Sequence, residues 1–236
     1  MTQTPPVEDR LQGFEDFVQT TMQEWQLPGL AIAIVKDSAV ILSQGFGKRN
    51  VAEDLDVTPE TLFAIGSCTK AFTATALGML IDEEKLNWDT PVRQHLPAFK
   101  LCDAVASEQA TARDLLSHRT GLPRHDMSWY RSSSTRDELF ERLQYLEPSK
   151  GFRELWQYQN LMYMVAGYLV EVVSGQTWED FVRQRIMEPL GMTGSNFATD
   201  ASRQTSDYAM PYKKIKGEVR LVDFYDKLAA IAPAGV

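Results

Sequence analysis

Ser67 and Lys70 stand three residues apart in Gly66-Ser67-Cys68-Thr69-Lys70, ahead of the apolar run Ala71 to Ile81. On a helix that spacing puts two side chains on one face, so the amine can reach the hydroxyl. A serine oxygen is a weak nucleophile until a neighbour takes its proton, and a lysine whose pKa is depressed by burial is able to do so. If Ser67 opens the helix, the free N–H groups and the positive dipole end favour negative charge developing beside it. A Ser-x-x-Lys pattern by itself is weak, because it arises by chance and a lysine at a helix start can snorkel to solvent. Its placement adds weight: an amine inside an otherwise apolar helix is costly unless something uses or compensates its charge.

A second group is Tyr158-Gln159-Asn160, just before the apolar stretch Leu161 to Val173. A phenol near a cationic amine can serve as general base, and an asparagine two residues on can donate to a substrate carbonyl. The plainer alternative is a tyrosine and an asparagine that cap the next helix. Other conspicuous residues have bland explanations. Cys68 reads as a small buried apolar group, and His118 and His125, flanking the turn Gly121-Leu122-Pro123, as structural. Asp103 and Asp114 also read as structural, and Asp82-Glu83-Glu84 as a solvated helix end. Trp129, Tyr130 and Ser132-Ser133-Ser134 suit a loop over a pocket, where an aromatic ring meets substrate.

The elements that must position these groups follow from periodicity. From Asp9 to Trp25 apolar residues recur at Leu11, Phe14, Phe17, Val18 and Met22, an amphipathic helix stopped by Pro28-Gly29. Leu30 to Val35 and Ala39 to Gly47, joined by Lys36-Asp37-Ser38, predict an antiparallel hairpin. The segment Ser67 to Ile81, apolar on nearly every face, predicts a central buried helix. Asp89-Thr90-Pro91-Val92 opens a short element, and helical patterns return at 112–117, 135–146, 161–173 and 177–186. Two short strands, 208–212 and 218–222, are expected around a turn at Lys216-Gly217. The fold class is therefore α+β, a single domain over 1–236 whose α/β part is 1–80 with 190–236 and whose helical part is about 81–189.

Composition bounds the function. The 236 residues are 44% hydrophobic with a net charge of −8, and the basic residues are scattered, which speaks against a nucleic-acid backbone as partner. Two cysteines and three histidines, without Cys-x-x-Cys or His-Glu-x-x-His, provide no metal signature, and no cofactor is expected. The N-terminal Met1-Thr2-Gln3-Thr4-Pro5-Pro6 lacks the features of a secretory signal, and the longest early apolar run, Leu30 to Val35, is too short to span a bilayer. A cytoplasmic location is expected, or a periplasmic one if a leader has been removed.

The chain resembles the superfamily of serine β-lactamases and penicillin-binding proteins, in the branch of class C β-lactamases, DD-peptidases and related carboxylesterases. The resemblance runs through Leu27 to Val35, Phe63-Ala64-Ile65-Gly66-Ser67-Cys68-Thr69-Lys70, Ala112 to Pro123, Tyr158-Gln159-Asn160 and Glu188-Pro189-Leu190-Gly191-Met192, in order and over nearly the whole chain. It implies a β-lactamase/transpeptidase-like fold, an antiparallel sheet flanked by helices with a mostly helical subdomain. It also implies an acyl-enzyme on Ser67, proton traffic shared by Lys70 and Tyr158, substrate orientation by Asn160, and half an oxyanion hole from the Ser67 N–H. Substrates would be small acyl esters, β-lactams or D-amino-acid peptides, and a homo-oligomer is compatible with the resemblance. Relatives carry a third motif, Lys-Thr-Gly or His-x-Gly, which has no counterpart after Asn160; Ala232-Pro233-Ala234-Gly235-Val236 matches a segment that relatives continue. A truncated chain is expected on that ground, and the competing function is an inactive member serving as a binding or assembly module.

Overall fold

A computed structural model describes residues 11–235. Residues 1–10, on which the expectation of a non-secretory N-terminus rests, and Val236 lie outside the described residues. By its contacts the chain falls into two compact units, Met1–Phe63 with Ser202–Phe224 and Ala64–Ala201 with Tyr225–Val236.

In the first unit helix α1 spans Phe14–Trp25; Asp9 and Arg10, where the expected pattern starts, lie outside the described residues. Its buried face is Val18 and Met22, four apart, packed with Phe46 and flanked by Phe14, Leu30 and Ile32. Strands β1, Gly29–Lys36, and β2, Ala39–Asn50, pair antiparallel from Gly29↔Gly47 to Lys36↔Ala39. The two turn residues between them, Asp37 and Ser38, both have positive φ, 49° and 65°, which matches the right-handed strand twist of a tight hairpin. The short β3, Leu55–Asp56, adds to the far side of β2, for the order β1-β2-β3. Gly45 permits this packing, since a Cβ there would run into the carbonyl of Val57. Asp207 fastens the later segment, accepting from Thr58 Oγ1 at 2.5 Å and Thr61 Oγ1 at 2.6 Å and pairing with Arg49 at 3.1 Å.

A second hairpin follows, β4 (Tyr212–Ile215) and β5 (Glu218–Leu221), around Lys216 and Gly217 at φ 51° and 87°. The first of these strands was expected over 208–212 and instead starts at Tyr212. Pro211 has no N–H for a ladder, and Tyr208 forms only an isolated bridge to Leu62.

The second unit holds the larger core. A 3₁₀ turn, Gly66–Thr69, leads into α2, Lys70–Asp82, so Ser67 does not open the α-helix but precedes it by one turn. Helix α2 is buried along one face only, through Lys70, Thr73, Ala76, Leu77 and Leu80, while Ala71 and Thr75 are exposed. On its other faces Phe72, Met79 and Ile81 are only half-buried, so the nearly uniform apolar pattern overstates the burial.

Short helices α3 (Ala104–Gln109), α4 (Ala112–Leu116) and α5 (Arg136–Arg142) follow. Asp103 caps α3, and Thr111 and Thr135 form reciprocal capping boxes with Asp114 and Glu138. The most deeply buried element is α6, Asn160–Ser174, whose first eleven residues are all buried but Tyr168. Helix α7, Trp178–Val182, continues as one wide π turn over Arg183–Met187 and inserts Trp178 and Phe181 into the same core. A closing 3₁₀ segment, Ala229–Ala234, lies against α6: at Gly167 a Cβ would collide with the ring of Pro233. No helix among the described residues is long and apolar enough to cross a membrane.

Candidate active site

All four residues singled out from the sequence lie in the second unit and meet. Lys70 is only 8% exposed, and its Nζ donates to three acceptors: Ser67 Oγ at 3.2 Å, Asn160 Oδ1 at 2.8 Å and the Ala234 carbonyl at 2.5 Å. Three acceptors match the three hydrogens of an ammonium. The rings of Tyr158 and Tyr163 lie 4.7 Å and 5.1 Å from the same nitrogen, close enough to favour the cation. Burial nevertheless dominates and lowers the lysine pKa, assisted by the charge of Arg124 and opposed by Tyr158 and Asp126. Tyr158 donates its hydroxyl to Ser67 Oγ at 2.5 Å, so the serine oxygen sits between a phenol and an amine.

The residues around Tyr158 are held by Gln159 and His118. Gln159 is fully buried, and its side chain accepts from Leu161 N at 2.9 Å as the cap of α6 and donates to the Pro123 carbonyl. Helix α6 thus starts at Asn160, and its cap is the residue between the two that sequence reasoning chose. The Gln159 N–H donates to His118 Nδ1 at 3.1 Å, and the His118 carbonyl accepts from Gln157 N at 2.9 Å. The His118 ring packs 4.8 Å from that of Tyr158 and 5.3 Å from that of Tyr163. Burial, and then the charge of Lys70, push its pKa down to about 4, so at neutral pH the imidazole is uncharged and can accept that hydrogen. Asp114, fully buried, accepts from Arg119 and Arg153, whose backbones are themselves joined, Arg153 N to Arg119 O at 2.8 Å. This fixes the strand of chain that leads to Tyr158.

Sequence reasoning missed two components. One is the segment 233–235: the Pro233 carbonyl accepts from Thr73 Oγ1 at 2.7 Å, Ala234 supplies the carbonyl on Lys70, and Gly235 lies against the turn that carries Ser67. At φ 135°, Gly235 occupies a conformation closed to other residues, and a Cβ there would strike the Gly66 carbonyl and come 2.8 Å from Ser67 N. The other is the pair Arg124 and Asp126, in contact with Tyr158 and Asn160. One expectation is overturned: Cys68 is exposed, because the 3₁₀ turn points it away from the core that receives Thr69 and Lys70. No group of three or more metal-ligating side chains occurs among the described residues.

Comparison with known proteins places this geometry in context. Residues 14–235 match the model of the family described as Beta-lactamase. Among curated proteins, the chain is 37% identical over 202 residues to the unguisins hydrolase ungD' of Aspergillus campestris, covering 81% of this chain and 37% of that one. It is 27% identical over 223 residues to Gigasin-6 of Magallana gigas, covering 93% of this chain and 74% of the other. Among solved structures it resembles an octameric penicillin-binding protein homologue from Pyrococcus abyssi, with a TM-score of 0.79 and 33% identity over 95% of this chain and 52% of that one. A class C β-lactamase at 22% identity shares the fold, with a TM-score of 0.78 over 95% and 59% of the two chains. The chain spans little more than a third of the curated hydrolase and about half of the archaeal homologue. With an α+β, β-lactamase/transpeptidase-like fold and a family match from the first helix to Gly235, the chain belongs to the Beta-lactamase family.

Proposed function

We infer that this chain is a serine hydrolase working through an acyl-enzyme on an ester or amide. One observation carries the reading: Ser67 Oγ lies 2.5 Å from the Tyr158 hydroxyl and 3.2 Å from Lys70 Nζ, two groups either of which can take its proton once it has lost its own. In acylation the Ser67 oxygen forms a bond to the acyl carbon while its proton passes to the Tyr158 and Lys70 pair. The carbonyl oxygen gains negative charge, which the Ser67 N–H stabilises in this reading. That proton is then returned to the departing alcohol or amine, and water releases the acyl group by the reverse relay. An oxyanion donor of this kind is worth about 10²- to 10³-fold in rate.

Asn160 keeps one of its two Nδ2 hydrogens for a substrate carbonyl, the other being given to Asp126. Small acyl esters are the favoured substrates, with β-lactams and D-amino-acid peptides as the alternatives within the same chemistry; a hydrolase-named relative supports bond cleavage to water. The test is intact mass spectrometry after incubation with a chromogenic short-chain ester or a fluorescent penicillin. A covalent adduct is expected on the wild type and none on Ser67→Ala. Identical spectra for the two proteins would refute the reading and favour a binding module.

A further inference from the structure

Arg124 and Asp126 close a circuit around the reacting groups that the serine, lysine and tyrosine do not explain. Asn160 donates Nδ2 to Asp126 Oδ1 at 3.1 Å while its Oδ1 accepts from Lys70 Nζ at 2.8 Å. The carboxamide is planar with a donor end and an acceptor end, so anchoring one end decides where the other points. Asp126 is held in turn: its Oδ2 accepts from Arg124 Nε at 2.6 Å, and the Arg124 guanidinium lies 4.9 Å from the centre of the Tyr158 ring. The loop is tied down beyond this pair, since Ser128 Oγ donates to the His125 carbonyl at 2.7 Å and His125 Nε2 bonds the Glu147 carbonyl at 2.9 Å. His125 itself has φ 46°, a strained conformation that turns the chain so that Asp126 meets Asn160.

We propose that Asp126 is a positioning residue for the hydrolytic centre: it selects the one amide orientation of Asn160 that turns an oxygen, rather than an N–H group, onto Lys70. This rests on the reading of Ser67 as nucleophile. Without Asp126 the amide can rotate by half a turn and present Nδ2 to the lysine, donor against donor. Asn160 Oδ1 would then be lost to Lys70, and the hydrogen held for substrate would move. Arg124 makes the selection stiffer by holding the carboxylate from behind, and its stacking on Tyr158 couples the two halves of the site.

The charged and titratable groups facing Lys70 are Tyr158, Tyr163, His118, Arg124 and Asp126; of these Tyr158 and, after it, Asp126 favour the ammonium, while Arg124 opposes it. Removal of Asp126 therefore lowers the lysine pKa further and moves the acid limb of Ser67 acylation to lower pH.

The experiment compares the full chain as wild type, Asp126→Ala, Asn160→Ala and the double variant, with a p-nitrophenyl ester as probe. Asp126→Ala should lower the limiting acylation rate by about 10- to 100-fold, the effect of a hydrogen bond to a charged group, with half-saturation shifted less than about threefold. Its acid limb should lie at lower pH, and adding Asp126→Ala to Asn160→Ala should change the rate by less than about twofold. A fully additive double variant, or an unmoved limb, overturns the proposal, because a purely structural aspartate would behave that way.

A second arm does not depend on catalysis. The chain has four asparagines, Asn50, Asn87, Asn160 and Asn196, so selective ¹⁵N-asparagine labelling yields four side-chain amide pairs. The Asn160 pair, assigned by its loss in Asn160→Asp, should be split between a bonded and a free hydrogen in wild type and should converge in Asp126→Ala. Unchanged Asn160 resonances in Asp126→Ala overturn the proposal even where Ser67 reacts. An ester-inert wild type whose Asn160 pair is split and converges on Asp126→Ala would leave the positioning role standing and refute the hydrolase reading.

Discussion

Replacing Thr73 by valine tests whether segment 233–235 is held in place by one hydroxyl. Thr73 is fully buried on α2, and its Oγ1 gives its hydrogen to the carbonyl of Pro233, itself buried. The neighbouring carbonyl, of Ala234, is the shortest of the three contacts to Lys70 Nζ. Valine fills the same space but has no donor, leaving a buried carbonyl unsatisfied, which costs about 1–3 kcal/mol. For a chain of this length each kcal/mol shifts the melting temperature by about 2–4 °C, so a fall of about 2–12 °C is expected. Thr73→Ser keeps the hydroxyl and should retain most of the stability.

The loss should also be local, because a loosened Ala234 carbonyl leaves the ammonium of Lys70 with fewer acceptors. Amide hydrogen exchange over 229–235 should quicken in the valine variant and not in the serine one, and ester labelling of Ser67 should slow only in the former. Calorimetry and exchange mass spectrometry supply the two readings. If Thr73→Val melts within about 1 °C of wild type and its exchange over 229–235 is unchanged, the hydroxyl does not hold this segment and the account of Lys70 as a triply satisfied ammonium fails.

Gly235→Ala should slow acylation of Ser67 by about 10²-fold or more, because the added methyl crowds Ser67 N, the donor proposed for the oxyanion; stopped-flow ester kinetics check this. His118 titrates near pH 4 in the folded chain against about 6.5 when unfolded, so only the unfolded state takes up its proton between those values. Stability should therefore fall as pH drops from about 6.5 to 4, by an amount on the order of 3 kcal/mol, and level off below; His118→Gln should flatten that decline in urea titrations at successive pH values. Asp114→Ala should destabilise by about 3 kcal/mol, the lower end for breaking a buried ion pair because Arg119 and Arg153 are themselves 39% and 43% exposed, as read from the urea midpoint.

What could be read from the sequence is what short-range geometry dictates. Ser67 and Lys70 share a face because a helical turn relates them, whether that turn is 3₁₀ or α, and Tyr158 and Asn160 stand together at the head of α6. The hairpin at Asp37-Ser38 is likewise local, announced by residues within four positions. Sequence misled where one residue type suits two environments. The apolar α2 reads as the central helix although α6 takes that place, and Cys68 reads as buried although its turn directs it outward.

The remaining misses share another cause. The strongest acceptor on Lys70 is a backbone carbonyl 164 residues away, and a carbonyl has no letter of its own; alanine at 234 says nothing about what its peptide oxygen does. The only trace is steric, in the two glycines that let the segment approach: Gly167 under Pro233 and Gly235 beside Gly66. Glycine inside a helix sacrifices about 1 kcal/mol against alanine, so Gly167 in the middle of α6 marks a place where close approach outweighs propensity. Small residues in long elements thus carry information about the site that Ser67, Lys70, Tyr158 and Asn160 do not, because the amine is held by groups contributed from the far end of the chain.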